Sequence, residues 1–272
     1  MQDPRASGSE LVLVEAAREP GIALVTLNRP EARNSLSLAT LEALHAGIDR
    51  LGHDKAVKAI VLTAAGAAFC AGHDLKEIVA HRADADSGRG FYELAMATCA
   101  RTMQAIMTCP KPVIAAVNGT ATAAGCQLVA TCDLAVASDA AKFCTPGVNI
   151  GLFCSTPMVA LTRNVPRKRA MEMLLLGELI GAAEAAEWGL VNRAVPPSDV
   201  LEAAFAFARA IAAKSPLTVA TGKRAFYDQI EMPVADAYAH AARVMVENLM
   251  ARDAQEGIGA FVDKRAPTWS GN

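Results

Sequence analysis

The chain has 272 residues, of which 53% are apolar and 20% are charged, and its formal net charge is −2. This length and composition are typical of a globular protein with a sizeable core, built as one domain or as a domain with an appendage. The small net charge and the aromatic content of 5% argue against a nucleic-acid partner. No apolar run approaches the ~18–20 residues that cross a bilayer, so we expect no membrane partner.

Cysteine usage and the amino terminus bear on the cellular compartment. The seven cysteines include no C-x-x-C pair and stand among alanine, valine and leucine, which favours buried reduced thiols over disulfides or a zinc site. Residues 1–10 show neither the apolar segment of a secretory signal nor the arginine-rich pattern of an organellar leader. We therefore predict a cytoplasmic protein with no metal and a short disordered tail at residues 1–10.

The first part of the chain predicts strands that alternate with helices. Apolar runs between turn residues indicate strands, and apolar residues spaced by three and four indicate helices. In chain order the predicted elements are strands 11–14 and 22–27 joined by a turn at 20–21, a helix from residue 38 to Gly52, strand 58–63, a helix at 91–107, strand 112–117, a helix at 125–131 and strand 134–137. Crossovers of helical length predict parallel packing in an α/β fold.

The second part of the chain is mostly helical. The predicted elements are a helix between Pro166 and Gly177, a helix at 182–188, strand 190–195, and helices at 198–213, 216–227, 234–250 and 255–263. We therefore divide the chain into a sheet-containing core, residues 10–196, and a C-terminal helical region, residues 197–272. That region is too thin to hold a core of its own, so we expect it to bury its apolar faces elsewhere. Residues 81–90 are the best candidate for a mobile loop over a site.

Two stretches of very small residues carry the functional signal. Residues 69–75 and 117–128 each follow an apolar strand and lead into a predicted helix. Small residues let a ligand approach the main chain, and the first turn of a helix has unpaired N–H groups. Two such turns facing each other would form an oxyanion hole, a pair of donors for a carbonyl oxygen that becomes negative. Taken singly, each turn also fits tight packing of a helix on a sheet.

Several motifs in order resemble the enoyl-CoA hydratase/isomerase family, the crotonase superfamily. They are residues 27–36, 69–75, 111–119, 124–128, 132–133, 189–192 and 261–267, and residues 145–157 are nearest to one subgroup. The resemblance implies a crotonase-like spiral of ββα units with a C-terminal helical trimerisation region, assembled as a homotrimer or a dimer of trimers. It implies an acyl-CoA thioester as ligand, so coenzyme A is part of the substrate and no cofactor is covalently bound.

The resemblance assigns catalytic roles to two main-chain amides. It also shows that two catalytic side chains of the family are missing from this sequence. It places the oxyanion-hole amides on His73 and Ala124. Family hydratases use two glutamates as acid and base, and here Gln127 and Gly147 stand in their places. Glutamine forms hydrogen bonds but exchanges no proton near neutral pH, and each positioned acid or base contributes ~10²–10⁴-fold in rate. Ordinary hydration should therefore be crippled. The His73 side chain is the most natural substitute proton carrier, although it also fits plain pocket lining.

The resemblance also implies contacts with coenzyme A. Arg33 matches the region that contacts the phosphates. Main-chain groups of Ala68 and Ala71 would contact the adenine and the pantetheine arm. Phe261 and Lys264 resemble residues that reach the ligand of a neighbouring subunit, and they equally fit the end of an ordinary amphipathic helix.

We therefore predict an acyl-CoA-acting enzyme, a lyase or isomerase of fatty acid metabolism, that stabilises a thioester enolate with an altered acid–base set. Two alternatives stay open. The protein could hold acyl-CoA without turnover, or it could catalyse another reaction of the family, such as decarboxylation or thioester hydrolysis. Restoring glutamate at both positions, 127 and 147, is expected to raise hydration.

Overall fold

The computed structural model describes residues 10–272, so the tail predicted for residues 1–10 lies, apart from Glu10, outside the described residues. The strands are β1 Val12–Glu19, β2 Ile22–Leu27, β3 Ala59–Ala64, β4 Ala68–Cys70, β5 Val113–Val117, β6 Thr120–Thr122, β7 Leu134–Ser138, β8 Lys142–Cys144, β9 Ile180–Gly181 and β10 Arg193–Val195. The α-helices are α1 Leu38–His53, α2 Leu75–Ala80, α3 Arg89–Thr108, α4 Ala124–Thr131, α5 Ser155–Asn164, α6 Arg167–Leu176, α7 Ala182–Glu187, α8 Val200–Ala212, α9 Pro216–Gln229, α10 Val234–Met250 and α11 Arg252–Val262.

The strands form two sheets, and from β3 to β8 successive strands belong alternately to the large and the small sheet. The large sheet has the order β1-β2-β3-β5-β7-β10 and is parallel except for the β1–β2 hairpin. The small sheet has the order β4-β6-β8-β9 and is parallel except for the β8–β9 pair. Three times, a long strand of the large sheet is followed by a short strand of the small sheet and then by helix. This is the spiral of ββα units that the motifs implied, and the predicted parallel packing is confirmed.

Helix α1 shows how the local sequence sets its own bounds. The Ser37 hydroxyl accepts a hydrogen bond from the Thr40 amide at 3.2 Å and so caps the helix. Leu41, Leu44 and Ile48 follow at helical spacing and are buried. Gly52 does not end the helix, as the sequence suggested. It lies inside α1, where a Cβ atom would be 3.3 Å from the Cys109 sulfur, so its small size serves packing.

The large sheet buries both of its faces. Ile60 and Leu62 of β3 belong to the main core, together with apolar residues of α1, α3 and α4. Val61 points to the opposite face, where it joins a second cluster with Ala204 and Phe205 of α8. The C-terminal helical region assigned from residue 197 therefore begins with a helix that covers the core sheet, and the division at residue 196 itself stays a prediction.

Helix α9 is anchored to the sheet by a largely buried ion pair. The Lys223 ammonium of α9 lies 2.6 Å from the Asp133 carboxylate, which precedes β7, and the Tyr227 hydroxyl donates to the same carboxylate at 3.0 Å. Large apolar side chains of α10 and α11 nevertheless stay exposed, among them Val234, Tyr238, Met250, Phe261 and Val262. Their burial elsewhere stays a prediction. Among residues 10–272, no helix is long and apolar enough to cross a membrane.

Candidate active site

The two small-residue turns lie side by side because of the small sheet. They leave the carboxyl ends of β4 and β6, which pair in parallel with Ala68 opposite Thr120. The ends of neighbouring parallel strands meet at one edge of a sheet, where α/β proteins commonly bind ligands. A side chain then joins the turns, because the Thr122 hydroxyl donates to the Ala71 carbonyl at 3.0 Å.

The main-chain amide of His73 points away from its neighbouring strand segment. His73 forms a parallel bridge with Leu36, in which the Leu36 amide donates to the Gly72 carbonyl at 2.8 Å and the Asp74 amide donates to the Leu36 carbonyl at 3.2 Å. In such a bridge the residue between the two bonds directs its own N–H to the opposite side. Across residues 10–272, the His73 amide donates to no backbone carbonyl in a turn or loop.

The amide of Ala124 is free for a different reason. Ala124 is the first residue of α4, and the amides of a first helical turn have no acceptor within the helix. The preceding residue, Ala123, has φ 50° and ψ −119°, a conformation that favours glycine and stores strain in alanine. Its own amide donates to the Cys144 carbonyl at 2.9 Å, which fixes the turn. All eight residues of α4 are buried, so its positive end acts in a medium of low dielectric.

His73 and Ala124 border the same cavity, which has a volume of about 520 Å³. Gly72 brings the two turns into contact. A Cβ atom on Gly72 would lie 2.9 Å from the Ala123 Cβ and 3.3 Å from the Ala124 nitrogen, and its φ is +90°. Only glycine fits both the space and the backbone angle. The arrangement leaves two amides of neighbouring turns available to one ligand.

The opposite wall of the cavity is formed by residues 146–157 and carries no carboxylate. Gly147 lies in this wall, and a Cβ atom there would lie 2.9 Å from the Leu152 carbonyl oxygen and 3.0 Å from the Cys154 sulfur. The Leu152 amide donates to the Gly147 carbonyl at 2.9 Å, so the chain folds back over this position. The second glutamate position is therefore sterically closed as well as empty of a side chain. This argues against the expectation that restoring glutamate at 127 and 147 raises hydration, which stays a prediction.

Two titrating side chains line the cavity among the described residues, and burial keeps both neutral. Burial lowers the pKa of His73, with the Leu36 backbone partly opposing the shift. Burial raises the pKa of the Cys154 thiol, with the Gly147 backbone partly opposing it. The His73 Nε2 atom is buried without a hydrogen-bond partner, so it does not face the open cavity. These features favour a main-chain role for His73 and disfavour Cys154 as a nucleophile.

Gln127 lies one turn after Ala124 on α4 but outside the residues that line the cavity. It is 5% exposed, and its Oε1 atom faces the Cys99 thiol of α3 at 4.0 Å. The structure thus places His73, Ala71 and Ala124 at the cavity and Gln127 outside its lining. Residues 81–90, the predicted mobile loop, also contribute nothing to the lining, and the stacking of His81 on Phe91 at 3.8 Å holds that segment locally.

The residues expected to contact coenzyme A flank one side of the cavity. The Ala71 amide donates to the Arg33 carbonyl at 3.0 Å, which places the Arg33 backbone beside the cavity wall, and the Arg33 side chain is exposed. Ala68 begins β4, and its carbonyl accepts from the Asn34 side chain at 2.8 Å. Phe261, which is 85% exposed, and Lys264 lie at the end of α11 and do not line this cavity.

Three side chains, those of Asn34, Arg29 and Asp74, hold this region together, and no role was predicted for Asn34. The Asn34 amide group donates to the Ala65 and Ala68 carbonyls, both at 2.8 Å, while its oxygen accepts from the Arg29 amide. The Arg29 guanidinium donates to the Asp74 carboxylate at 3.0 Å, and Asp74 caps α2. Burial alone would raise the pKa of Asp74, but the Arg29 and α2 donors outweigh it and lower the pKa. Asn34 has φ 53°, a conformation that asparagine adopts more readily than most residues, but no pattern in the sequence indicates this clamp.

Comparison with known proteins identifies the family. The family model described as enoyl-CoA hydratase/isomerase matches residues 17–272. The chain therefore belongs to the enoyl-CoA hydratase/isomerase family, whose members act on acyl-CoA thioesters, and the resemblance of the motifs is confirmed.

Individual relatives match over nearly the whole chain. Enoyl-CoA hydratase domain-containing protein 3, mitochondrial, of Rattus norvegicus is 46% identical over 98% of this chain and 87% of that protein. The crystal structure of an enoyl-CoA hydratase from Mycobacterium smegmatis matches with a TM-score of 0.90 and 50% identity over 96% of this chain and 99% of that one. The crystal structure of human enoyl coenzyme A hydratase domain-containing protein 3 matches with a TM-score of 0.89 and 46% identity over 95% and 100%. The crotonase fold is confirmed, as is the subgroup indicated by residues 145–157, that of domain-containing protein 3.

The prediction of a cytoplasmic location is wrong on this comparison. The rat, mouse and human relatives are all named mitochondrial, which points to mitochondria instead. The prediction depended on the absence of a leader pattern in residues 1–10, and such an absence does not decide a location. The cysteines do not decide it either. All seven are free and buried, which confirms the expectation of buried thiols.

Proposed function

We propose that the protein binds acyl-CoA thioesters in the 520 Å³ cavity and stabilises negative charge on the thioester oxygen with the His73 and Ala124 amides. The observation that carries this proposal is that both amides border one cavity and have no acceptor in a turn or loop of residues 10–272. An aligned donor of this kind contributes about 10²–10³-fold in rate when charge develops on the oxygen. The proposed chemistry is formation of a thioester enolate or of a similar oxyanion.

Hydration of enoyl-CoA is not the reaction that this cavity supports best. Hydration needs an acid and a base near Cα and Cβ. The cavity offers no carboxylate among the described residues, and Gly147 cannot take one without moving Leu152. We expect a hydration rate at least about 10⁴-fold below that of a two-glutamate enzyme, because two positioned groups are missing. The same observation favours a second candidate, a protein that holds acyl-CoA without turnover.

A binding and turnover panel tests these two candidates together. Calorimetry with coenzyme A, butyryl-CoA and crotonyl-CoA measures whether the acyl thioester adds affinity beyond coenzyme A. Loss of the conjugated thioester absorbance measures hydration. Tight binding of esters with slow or no hydration supports the proposal. Esters that bind no better than free coenzyme A would refute it, and rapid hydration would refute the argument from the missing carboxylates.

Removal of a single N–H tests the amide contact without changing any side chain. Replacing the Ala124 amide by an ester, with lactic acid incorporated at position 124, deletes one donor and keeps the methyl group. A buried hydrogen bond of this kind is worth ~1–3 kcal/mol, so we expect butyryl-CoA to bind about 10- to 100-fold more weakly. The matched ligand is a thioether analogue of butyryl-CoA, which has no carbonyl oxygen. Its affinity should not change, and an equal loss for both ligands would count against the contact.

Arg33 is proposed as a phosphate contact of coenzyme A. Its side chain is exposed next to the cavity, whereas Arg29 is engaged by Asp74. Replacement Arg33→Ala should weaken coenzyme A and butyryl-CoA by the same factor, about two- to fivefold for one exposed charge, and should reduce the salt dependence of binding. A loss confined to the acyl thioester would assign Arg33 to the acyl end instead.

The C-terminal residues and the assembly are proposed together. We propose that Phe261 and Lys264 contact coenzyme A bound to a neighbouring subunit of a homotrimer or a dimer of trimers. The support is that Phe261 is 85% exposed on a helix whose other large apolar side chains, Ile258 and Val262, are also exposed. Sedimentation of the protein with and without butyryl-CoA, and the affinity of a Phe261→Ala variant, test the two parts. If the protein sediments as a monomer and the Phe261→Ala variant keeps full affinity for butyryl-CoA, both the assembly and the contact are contradicted.

A further inference from the structure

We infer that the segment after α11, residues 265–272, is a strap that positions this helix for coenzyme A binding, and that Asp253 is the positioning residue that holds the strap. The inference rests on the proposed contact of Phe261 and Lys264 with coenzyme A of a neighbouring subunit. It goes beyond that contact by assigning what keeps the two residues in place. Asp253 lies at the opposite end of α11, so it acts through the helix and not on the ligand.

Helix α11 gains little orientation from apolar packing within its own subunit. Among the residues of this helix, all of which the structure describes, the buried ones are Asp253 and Ala260. The large apolar side chains Ile258, Phe261 and Val262 are exposed, so hydrophobic burial fixes the helix weakly. Two glycines inside the helix also lower its helix propensity. The orientation of α11 therefore depends on polar contacts, and the strap supplies them.

One buried carboxylate joins the strap, the first turn of α11 and the junction between α8 and α9. Asp253 is 1% exposed. Its carboxylate accepts hydrogen bonds from the Ser215 hydroxyl at 2.6 Å, from the Ser270 amide at 2.7 Å and from the Gly271 amide at 3.0 Å. The Asp253 amide donates to the Asn272 carbonyl at 3.0 Å. Because α8 covers the large sheet, the strap connects α11 to the core.

The strap also runs back along α11 beyond Asp253. The Glu256 carboxylate accepts from the Arg265 guanidinium at 2.7 and 2.8 Å and from the Thr268 amide at 2.9 Å. The Trp269 indole donates to the carbonyl of the residue after α8 at 2.8 Å, and a Cβ atom on Gly257 would lie 3.1 Å from the indole ring. A bidentate pair of carboxylate and guanidinium, together with a packed ring, defines one orientation of the helix against the strap.

The turn between α11 and the strap carries the residues proposed to contact coenzyme A. Lys264 has φ 55°, and the Arg265 amide donates to the Ala260 carbonyl at 3.0 Å, so the chain reverses its direction at the end of the helix. Phe261 follows Asp253 by eight residues, which is about 12 Å along the helix axis. A tilt of about 10° at Asp253 would displace Phe261 by about 2 Å, which is enough to break a van der Waals contact.

Two ligands test the inference by calorimetry, butyryl-CoA and butyryl-pantetheine, which lacks the nucleotide part. We expect Asp253→Asn to weaken butyryl-CoA about tenfold, because the contacts at the far end of α11 are lost, and to change butyryl-pantetheine by less than about twofold. Trp269→Ala should have the same effect, and it replaces Asp253→Asn if that variant does not fold. Asp236→Asn, which changes an exposed acid in the first turn of α10, is the matched control and should leave both affinities unchanged.

A second set of variants shows whether Asp253 acts through Phe261 and Lys264. In a Phe261→Ala, Lys264→Ala background the proposed contacts are already gone. Adding Asp253→Asn there should weaken butyryl-CoA by less than about twofold further. If Asp253→Asn instead causes its full loss in both backgrounds, Asp253 does not act through these residues and the inference is overturned.

The outcomes separate this inference from the proposed contact. If the Phe261→Ala, Lys264→Ala variant binds butyryl-CoA as tightly as the unchanged protein, the proposed contact fails and the inference fails with it. If that variant binds weakly while folded Asp253→Asn and Trp269→Ala keep full affinity, the inference is overturned and the proposed contact remains. Equal losses for butyryl-CoA and butyryl-pantetheine in Asp253→Asn would also overturn the inference, because the strap would then act on the site as a whole.

Discussion

The cavity has two walls that differ in what they retain of the family's chemistry. The amide wall, residues 71–73 and 123–124, holds two free N–H groups on turns locked together by Gly72 and Thr122. The loop wall, residues 146–157, holds apolar side chains and a glycine that the chain folds over. The amide wall depends on the backbone alone and so tolerates changes of side chain. By the family resemblance, acid–base chemistry at the loop wall would depend on one side chain at position 147, and the structure leaves little space for a side chain there.

The largest expected effect comes from adding a methyl group at Gly72 in the amide wall. Gly72→Ala places a Cβ atom 2.9 Å from Ala123 at φ +90°, and we expect it to lower the free energy of unfolding by about 3 kcal/mol and to abolish acyl-CoA binding. Gly151→Ala is the matched control, because its φ is +76° but nothing lies within 4 Å. It should cost only about 1 kcal/mol and keep binding. Urea denaturation and calorimetry measure both, and equal effects would erase the difference between the walls.

Restoring the glutamates tests whether the loop wall is closed. Gly147→Glu, alone or with Gln127→Glu, should not raise hydration, because the Cβ atom would meet the Leu152 carbonyl at 2.9 Å. We expect Gly147→Glu to cost about 2–3 kcal/mol of stability from overpacking. Gln127→Glu alone conserves shape but buries a carboxylate outside the cavity lining, so it should destabilise by about 1–3 kcal/mol without a gain in rate. A folded double variant that hydrates crotonyl-CoA rapidly would contradict this account of the wall.

Two measurements distinguish the role of the His73 side chain from that of its amide. The pH dependence of stability reports on the side chain, and ligand binding reports on the amide. Burial lowers the pKa of His73 in the folded protein, so between the unfolded-state pKa near 6.5 and the lower folded pKa the unfolded state binds more protons. His73 therefore contributes nothing above about pH 7 and reduces stability as the pH falls below its unfolded pKa. In His73→Ala this part of the slope between pH 7 and pH 5 should disappear, while butyryl-CoA binding, which uses the main chain, should change by less than about threefold. If His73→Ala loses butyryl-CoA binding while the slope of stability against pH is unchanged, the His73 side chain itself contacts the ligand.

The smallest expected effect is a gain in stability in the amide wall. Ala123 has φ 50° and ψ −119°, which glycine adopts without strain. Ala123→Gly should therefore raise the free energy of unfolding by up to about 1 kcal/mol and leave acyl-CoA binding intact. Thermal unfolding with and without ligand measures this, with Ala121→Gly in β6 as the control that should destabilise. A destabilised Ala123→Gly would mean that the methyl group is needed for packing.

The sequence predicted the parts of the fold whose signals are long. Strand β2 and helix α10 have the bounds that their patterns indicated, because six to seventeen residues show a clear apolar period. Strands β4, β6 and β8 have three residues each, which is too short for alternation to be recognised. Their pairing nevertheless decides that the two turns meet. The motifs located the turns, but their contact follows from the small sheet.

The candidate site was predicted where it depends on the backbone and missed where it depends on tertiary packing. The small residues at 71–72 and 123–125 mark the amide wall in the sequence itself. That Gln127 faces Cys99 rather than the cavity, or that Leu152 covers Gly147, follows from how α3, α4 and the loop wall fold against one another. No local pattern carries that information. The close contacts at Gly147 argue against the restored-glutamate expectation, which stays a prediction.

A crystal structure with butyryl-CoA bound tests the central claim most directly. The account predicts the thioester oxygen within about 2.7–3.1 Å of both the His73 and the Ala124 nitrogen atoms. A carbonyl oxygen turned away from both nitrogens, in an otherwise well-ordered ligand, would contradict it.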